Sequence, residues 1–178
     1  LGWIHLEDGR YNRASENFTG VRYGGGPLAS FALYYEAVAD HRRGRHTVAA
    51  GECKSYREKY PRGYHAEDCL LLMGDAYTAV GYHGAASKAY KEWLKKNPRS
   101  PMEEALKLQM ARAAANADPM LGAERLRWLA LSHDYGANGR GAFKDLMALM
   151  ESGEVACWGD NRFGQVKGTK EVRPTHVV

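Results

Sequence analysis

The chain has 178 residues, of which 44% are hydrophobic and 26% charged, a composition typical of a globular protein with a sizeable core. Its formal net charge is +4. Its densest basic cluster, three arginines within residues 42–45, is too sparse for the converging cations that phosphate binding requires, which argues against a nucleic-acid partner. No apolar run approaches the 18 residues of a membrane span, and the three cysteines, Cys53, Cys69 and Cys157, include no CxxC pair that would suggest a zinc or haem site.

A repeat of about 35 residues organises the chain, and a glycine marks each copy. Gly9, Gly44 and Gly81 are each followed five residues later by alanine, and the strings GRYNRASENF, GRHTVAAGEC and GYHGAASKAY align without gaps. Glycine adopts the left-handed backbone of a tight turn without a Cβ penalty, and a small alanine lets the second helix approach its neighbour closely. Each copy therefore predicts a helix, a tight turn and a second helix.

In chain order, the helices are predicted at residues 1–8, 10–20, 28–43, 46–59, 64–80, 83–96, 101–116, 119–133 and 140–151. The glycine-rich residues 22–27 predict a loop between the first two copies. Pro61 and Pro98 end the second helix of the next two copies, because proline cannot continue the helical hydrogen-bond ladder. A fourth, weaker copy has Asp118-Pro119 at the turn and Ala123 at the alanine position.

The third copy resembles a tetratricopeptide repeat, whose pattern is W-x2-L-G-x2-Y, then A-x3-F, then P over 34 residues. Leu70 takes the place of the Trp, and Met73-Gly74 stand at the Leu-Gly position. The Tyr, Ala, Phe and Pro positions hold Tyr77, Ala86, Tyr90 and Pro98. The second copy departs from the pattern, with Ala37 at the glycine position and Cys53 at the aromatic position. The first copy begins at the Leu-Gly position with Leu1-Gly2, so we expect a parent chain that continues upstream.

This resemblance covers about residues 1–132 and implies the fold class: all-α, a right-handed superhelix of antiparallel helix pairs. We expect a helical repeat domain over residues 1–152, followed by a short β-rich or extended tail over residues 153–178. In such a solenoid each helix pair buries its apolar face against its neighbours, so that no pair is stable alone.

The same resemblance implies a concave face lined by the second, fifth, ninth and twelfth positions of each copy. These positions hold Trp3 and Leu6 in the first copy, Phe31, Tyr34, Val38 and His41 in the second, and Asp68, Leu71, Asp75 and Thr78 in the third. A mixed aromatic and polar lining suits an extended or helical peptide, and the face lacks the Lys/Arg clamp expected for a terminal carboxylate. The prediction is a non-catalytic scaffold for a protein or peptide partner, without a metal or cofactor. The alternative is that several of these residues pack inside the superhelix.

The strings SYREKYPRGYHAEDCLLLMGDAY and AYKEWLKKNPRSPMEEALKLQMA resemble repeats of bacterial envelope proteins. This resemblance implies the periplasm or cell envelope, with the cytoplasm as the alternative. Two further functions stay open. One is the helical accessory domain of a peptidoglycan-active lytic transglycosylase, with catalysis on other sequence. The other is a structural subunit of a larger assembly, which predicts an exposed apolar patch on one flank.

Phe143, Leu146, Met147 and Met150 follow helical spacing, which predicts a helix over these residues. Helical periodicity stops at Gly153. The string GEVACWGDNRFGQ, in residues 153–165, resembles one repeat of the β-propeller family named for the regulator of chromosome condensation. One blade cannot close a propeller, so the string implies either a propeller farther along or a lone hairpin.

Glu151-Ser152-Gly153 resembles the string that carries the catalytic glutamate of lytic transglycosylases. That role needs a buried carboxyl with a raised pKa. The family's later motif is absent from this sequence, and 27 further residues are too few for a lysozyme-like domain. We therefore expect Glu151 to be a solvated residue near a helix end, and no catalytic residue in this chain.

Overall fold

The computed structural model describes residues 1–132 and 137–152, and every regular element within these ranges is an α-helix. The helices are α1 (Gly2–Glu7), α2 (Tyr11–Gly24), α3 (Ala29–Arg42), α4 (His46–Lys59), α5 (Asp68–Ala79), α6 (His83–Lys96), α7 (Glu103–Ala117), α8 (Pro119–Ser132) and α9 (Ala137–Glu151). The chain forms two compact units, one over Leu1–Leu106 and one that starts at Lys107. The predicted tail, residues 153–178, lies outside the described residues.

The three repeat glycines end the first helix of each pair in the way that the sequence predicts. Gly9, Gly44 and Gly81 have φ angles of 71°, 84° and 80°. In all three turns the amide after the glycine donates to the carbonyl five residues earlier at an N···O distance of 2.8 Å, and the glycine amide donates to the carbonyl three residues earlier. This pair of bonds is the Schellman motif, which satisfies the last carbonyls of a helix and favours glycine at the left-handed position.

The repeat alanines lie where the second helix of each pair contacts its neighbours. Ala14, Ala49 and Ala86 have no exposed surface, and Ala123 in the fourth copy is also buried. The prediction of close helix packing at these positions is therefore confirmed. In the unit that starts at Lys107, α8 approaches α7 so closely that a Cβ on Gly122 would overlap the backbone of Ala115.

The first unit is a run of helix pairs in which α2 packs on α1 and α3, α4 packs on α3 and α5, and α6 packs on α5. Its core includes Leu33, Cys53, Tyr56 and Cys69, of which the two cysteines are fully buried and carry free thiols. A hydrogen bond between the thiols and burial both raise the pKa of Cys53, so the pair acts as small core residues.

The second unit has its own core, in which α8 packs on α9. Leu108 and Leu126 are among its buried residues, together with Ala142. An ion pair of 2.6 Å between Arg112 Nε and Asp145 Oδ2 joins α7 to α9. Among the described residues, no helix is both long and apolar enough to cross a membrane.

The predicted loop at residues 22–27 is wrong at its start, because α2 continues through Gly24. Contacts with α3 hold these last turns: Thr19 Oγ1 donates to Glu36 Oε1 at 2.6 Å, and Arg22 Nε lies 2.6 Å from Glu36 Oε2. Glu36 is buried, so this network replaces the water that its carboxylate would otherwise bind. Gly25, with a φ angle of 74°, follows the helix.

The predicted start of the fifth helix, at residue 64, is also wrong, because α5 begins at Asp68. Residues 61–67 form turns instead. The amide of Ala66 donates to the carbonyl of Gly63 at 3.0 Å, and the amide of His65 donates to the hydroxyl of Tyr56 at 3.2 Å. The second bond reaches back to α4, so this segment follows the surface of α4 before the helix begins.

Candidate protein-binding face

The first helices of the three copies, α1, α3 and α5, carry all ten residues of the predicted concave face, which we call the repeat face. Because α3 packs directly against α5, the residues of the second and third copies lie side by side. The indole of Trp3 on α1 meets the ring of Tyr35 on α3 edge to face, with 4.7 Å between ring centroids. None of the ten side chains is fully buried, so every predicted face residue keeps some accessible surface.

An aromatic cluster centred on His65 supports one end of the repeat face. The His65 ring is 5% exposed and stacks on Tyr34, with 4.0 Å between ring centroids and 6° between ring planes. The rings of Phe31, Tyr35 and Tyr64 meet it nearly edge-on, at 5.3, 5.4 and 4.8 Å. Edge-to-face and stacked contacts at these distances are favourable, so Phe31 and Tyr34 are presented from a packed support.

Asp68 connects this cluster to α5. Its Oδ2 lies 2.8 Å from Nδ1 of His65, while about half of its own side chain stays exposed. Burial, followed by the nearby Asp68 carboxylate, raises the pKa of Tyr34, so its hydroxyl stays protonated and able to donate at neutral pH. Tyr34 is thus both a packed residue and a residue of the face.

A second anchored carboxylate, Asp75, lies two helical turns farther along α5. The hydroxyl of Tyr90 on α6 donates to Asp75 Oδ1 at 2.6 Å. The ring of Tyr90 is buried and reaches this position over Gly74. Thr78 donates to the carbonyl of Gly74 at 2.8 Å, so its hydroxyl is already used within the helix. Asp75 itself is exposed.

His41, at the end of α3, pairs with His46 at the start of α4, with 3.1 Å between their Nδ1 atoms. In such a pair, one ring donates a proton and the other accepts it. Burial and the neighbouring His46 lower the pKa of His41, although Asp75 acts in the opposite direction. The imidazole of His41 is therefore neutral at neutral pH.

The remaining predicted residues contribute apolar surface. Leu6, Val38 and Leu71 are half-buried on α1, α3 and α5. At the start of the chain, α1, α2 and α3 also enclose a mostly apolar groove of about 440 Å³, to which Trp3 and Phe31 both contribute. The repeat face and this groove therefore meet at α1 and α3.

Sequence reasoning missed three aromatic residues of this region: Tyr35, Tyr64 and His65. Tyr35 lies one position after the predicted Tyr34, outside the four positions that the repeat pattern assigns to the face. Tyr64 and His65 fall in the turns before α5, where helical spacing has no predictive value. The one available signal was the closeness of His65 and Asp68 in the sequence, because residues three positions apart can form a local imidazole–carboxylate contact.

The comparisons with known proteins concern the fold. The chain is similar to the solved structure of nearly identical TPR-like repeats from a Podosopora anserina protein described as a kinesin light chain. The TM-score is 0.66 at 16% identity, over 86% of this chain and 84% of that chain. A single-residue variant of the same protein matches at 15% identity, with the same TM-score and coverage. The fold is a TPR-like repeat solenoid.

The other two comparisons add little to this TPR-like fold. Residues 147–165 match the family model described as Regulator of chromosome condensation (RCC1) repeat, a short stretch of the 178 residues. Its first residues, up to Glu151, belong to α9, as the helical spacing of residues 143–150 predicts. A search of the curated proteins finds no match to this sequence.

The described part of the TPR-like solenoid contains no group of three His, Cys, Asp or Glu side chains placed to hold a metal ion. Glu151 is exposed as the last residue of α9, as expected for a solvated residue at a helix end. An exposed carboxyl does not have the burial that a general acid with a raised pKa requires.

Proposed function

We propose that this chain is a non-catalytic binding module that holds a protein or peptide partner on the repeat face. The observation that carries the proposal is the combination of accessible aromatic surface with a packed support. Phe31 is 40% exposed although its ring contacts His65, and Tyr64 beside it is 81% exposed. Aromatic side chains held in this way lose little entropy on binding and are typical of binding hot spots.

The TPR-like fold is a second, independent line of support for a binding function. Stacked helix pairs create extended surfaces from the first helix of each pair, and these proteins use such surfaces for binding. Fold alone does not assign a function, so the proposal depends on the accessible residues of α3 and α5.

A pull-down from bacterial extracts tests the proposal with the full chain as bait. We compare the wild type with a Tyr34→Ala, Leu71→Ala, Asp75→Ala variant, and with a control variant, Lys54→Ala, Ser55→Ala, Lys91→Ala, at exposed positions of α4 and α6. The proposal predicts a protein that the wild type and the control retain and the face variant loses. Equal retention by all three baits contradicts it.

Tyr34 also stacks on His65, so its truncation can weaken the fold as well as the face. A second variant, Phe31→Ala with Tyr64→Ala, removes two exposed rings that meet His65 edge-on and keeps the Tyr34 ring that stacks on it. Thermal unfolding of each bait is measured beside the pull-down. A partner that is lost with this second variant at an unchanged Tm has been lost through the face.

We further propose that the partner belongs to the periplasm or cell envelope of a bacterium, on the strength of the two envelope-type strings in the sequence, with the cytoplasm as the alternative. Envelope and cytosolic extracts are therefore used in parallel. Retention of purified peptidoglycan in place of a protein would favour the accessory domain of a lytic transglycosylase. That result would count against the repeat face as the binding surface.

A second candidate function is a structural subunit of a larger assembly. It is supported by the groove of about 440 Å³ between α1, α2 and α3, where Val21 and Leu28 on the rim are exposed. A Val21→Glu, Leu28→Glu variant tests this candidate by light scattering over a range of protein concentrations. A concentration-dependent mass that disappears in the variant favours the subunit, whereas the same mass for both proteins counts against it.

A further inference from the structure

The formal charge of the repeat face differs in sign from that of the whole chain. Among the ten face residues, Asp68 and Asp75 carry the only formal charges at neutral pH, and there is no lysine or arginine, whereas the chain as a whole has a net charge of +4. Asp68 is already paired with His65. Asp75 forms no ion pair with any Lys or Arg of the part of the chain that the structure describes, which leaves its charge available.

Tyr90 fixes the position of this charge without neutralising it. The Tyr90 hydroxyl donates to one carboxylate oxygen of Asp75, Oδ1. Tyr90 is 1% exposed, so its packed ring holds the hydroxyl at this carboxylate. Burial raises the pKa of Tyr90, and the bond to Asp75 raises it further, so the phenol remains a donor. The Tyr90 hydroxyl is a neutral donor, so it orients the Asp75 carboxylate without cancelling its negative charge.

The imidazole of His41, on which the Asp75 carboxylate acts, does not compensate this charge either. The pKa of His41 is lowered mainly by burial and by His46, so its ring is uncharged at neutral pH. Leu71 lies one helical turn before Asp75 on α5, and Val38 lies one turn before His41 on α3; both are half-buried apolar side chains of the repeat face. A carboxylate beside an apolar surface is less solvated than one in open water, which strengthens its attraction for a cation.

We propose that the partner segment on the repeat face is basic: one Lys or Arg side chain pairs with Asp75, and apolar side chains on either side of it lie against Val38 and Leu71. The inference rests on the proposed function and specifies its partner. The exposed Arg42 follows His41 on α3 and repels a run of basic residues, so a single cation flanked by apolar residues fits better than a polybasic stretch.

A random 12-residue peptide library displayed on phage, selected on the full chain, tests this inference. We expect the enriched peptides to share one Lys or Arg with apolar neighbours. For a synthetic peptide of that sequence, Asp75→Asn should weaken binding about tenfold or more, the scale of one hydrogen bond to a charged group, and added salt should weaken wild-type binding. Asparagine still accepts the Tyr90 hydrogen bond, so the fold is preserved.

One change in the peptide and two further protein variants isolate the contribution of the charge pair. With the peptide's basic residue replaced by glutamine, Asp75→Asn should have no further effect, because the interaction has already been removed. Tyr90→Phe keeps the ring but frees the carboxylate, and should weaken only the peptide that carries the basic residue. Glu16→Gln, on the exposed surface of α2, removes the same charge elsewhere and should leave the affinity unchanged.

The failures of the two proposals are distinguishable. Peptides that lose affinity with the Phe31→Ala, Tyr64→Ala variant but lack a basic residue, or bind Asp75→Asn as tightly as the wild type, would overturn the inference and leave the binding face in place. Peptides that bind the Phe31→Ala, Tyr64→Ala and Asp75→Asn variants as tightly as the wild type, or a library that yields no binder, would overturn both.

Discussion

The ring of Tyr90 lies directly over the backbone of Gly74, where no side chain would fit. A Cβ built on Gly74 would lie 2.6 Å from Cδ1 of the tyrosine, inside the shortest contact that carbon atoms tolerate. The absence of that Cβ lets the Tyr90 hydroxyl reach Asp75 across the helix pair. The glycine of the repeat pattern therefore connects the packing of α5 and α6 to the charge on the repeat face.

We expect Gly74→Ala to destabilise the protein by about 1–3 kcal/mol, the usual range for inserting a methyl group into a packed interior. Gly84→Ala is the matched control, because Gly84 lies in α6 with open space around it. Alanine there should stabilise the helix by about 0.5–1 kcal/mol. Urea unfolding of both variants measures the difference, and equal stabilities would show that Tyr90 moves aside without cost.

The packing of an aromatic ring over a glycine recurs in the first copy, and in all three copies the two corresponding residues lie sixteen positions apart in the sequence. In the first copy, a Cβ on Gly2 would lie 2.9 Å from Cε1 of Phe18. In the second copy, Ala37 stands at the glycine position, and its counterpart is the small, fully buried Cys53. The departure of the second copy from the repeat pattern is thus a paired change in size.

A double-mutant cycle at Ala37 and Cys53 checks this pairing. Cys53→Tyr alone should destabilise the protein by about 1–3 kcal/mol through overpacking, and Ala37→Gly alone by about 1 kcal/mol through helix propensity. Together they recreate the Gly74–Tyr90 arrangement, so the double variant should be more stable than the sum of the single changes predicts. Strict additivity in urea unfolding would mean that the two positions are independent.

The turn glycines provide a third prediction. Gly44→Ala places a Cβ at a φ angle of 84° and should cost about 1–2 kcal/mol, whereas Gly44→Asn should cost less, since asparagine tolerates the left-handed region. Gly51→Ala, in the interior of α4, is the control and should stabilise the protein slightly. Thermal unfolding ranks the three variants, and a Gly44→Ala protein as stable as Gly51→Ala would refute the assignment of the turn.

Glu52 on α4 makes the stability depend on pH. Burial, together with the carboxylates of Glu36 and Asp40, raises the pKa of Glu52 to about 8 from its ordinary value of 4.5, although Arg22 and Arg45 oppose the shift. Between these two values the folded state holds a proton that the unfolded state has lost. The stability from this group is therefore present at pH 4.5 and falls as the pH rises to 8.

Glu52→Gln mimics the protonated side chain and should remove this loss. Because the group is partly exposed, we expect a modest gain in Tm over the wild type at pH 8, about 2–4 °C, that disappears near pH 5. Glu58→Gln, on the exposed surface of α4, controls for the change in net charge. A gain that is the same at both pH values would contradict the raised pKa.

The sequence predicts those parts of this molecule that depend on local chemistry. The turns are marked by Gly9, Gly44 and Gly81, because the left-handed backbone region selects glycine whatever its surroundings. Ala14 is fully buried because the closely packed helices leave no room for a larger side chain. The ten face residues come from the resemblance to the tetratricopeptide repeat and stay accessible in the structure, although which of them contacts a partner stays a prediction.

The features that the sequence does not predict depend on contacts between distant residues. The last turns of α2 are held by Arg22 and Glu36, fourteen residues apart, and no local pattern contains that pair. His65 takes its place through the hydroxyl of Tyr56 on another helix and through stacking on Tyr34. The aromatic cluster is therefore a property of the tertiary structure, and of its members only Phe31 and Tyr34 were predicted.

The central claim is that the partner binds to the repeat face, and site-specific photo-crosslinking tests it most directly. A benzoylphenylalanine is placed at Phe31 on that face in one protein and at Ser55, exposed on α4, in another. Each protein is irradiated with the partner from the pull-down or with a selected peptide. The proposal predicts a crosslink from position 31 and none from position 55. A crosslink from position 55 alone would place the binding surface on α4 and contradict it.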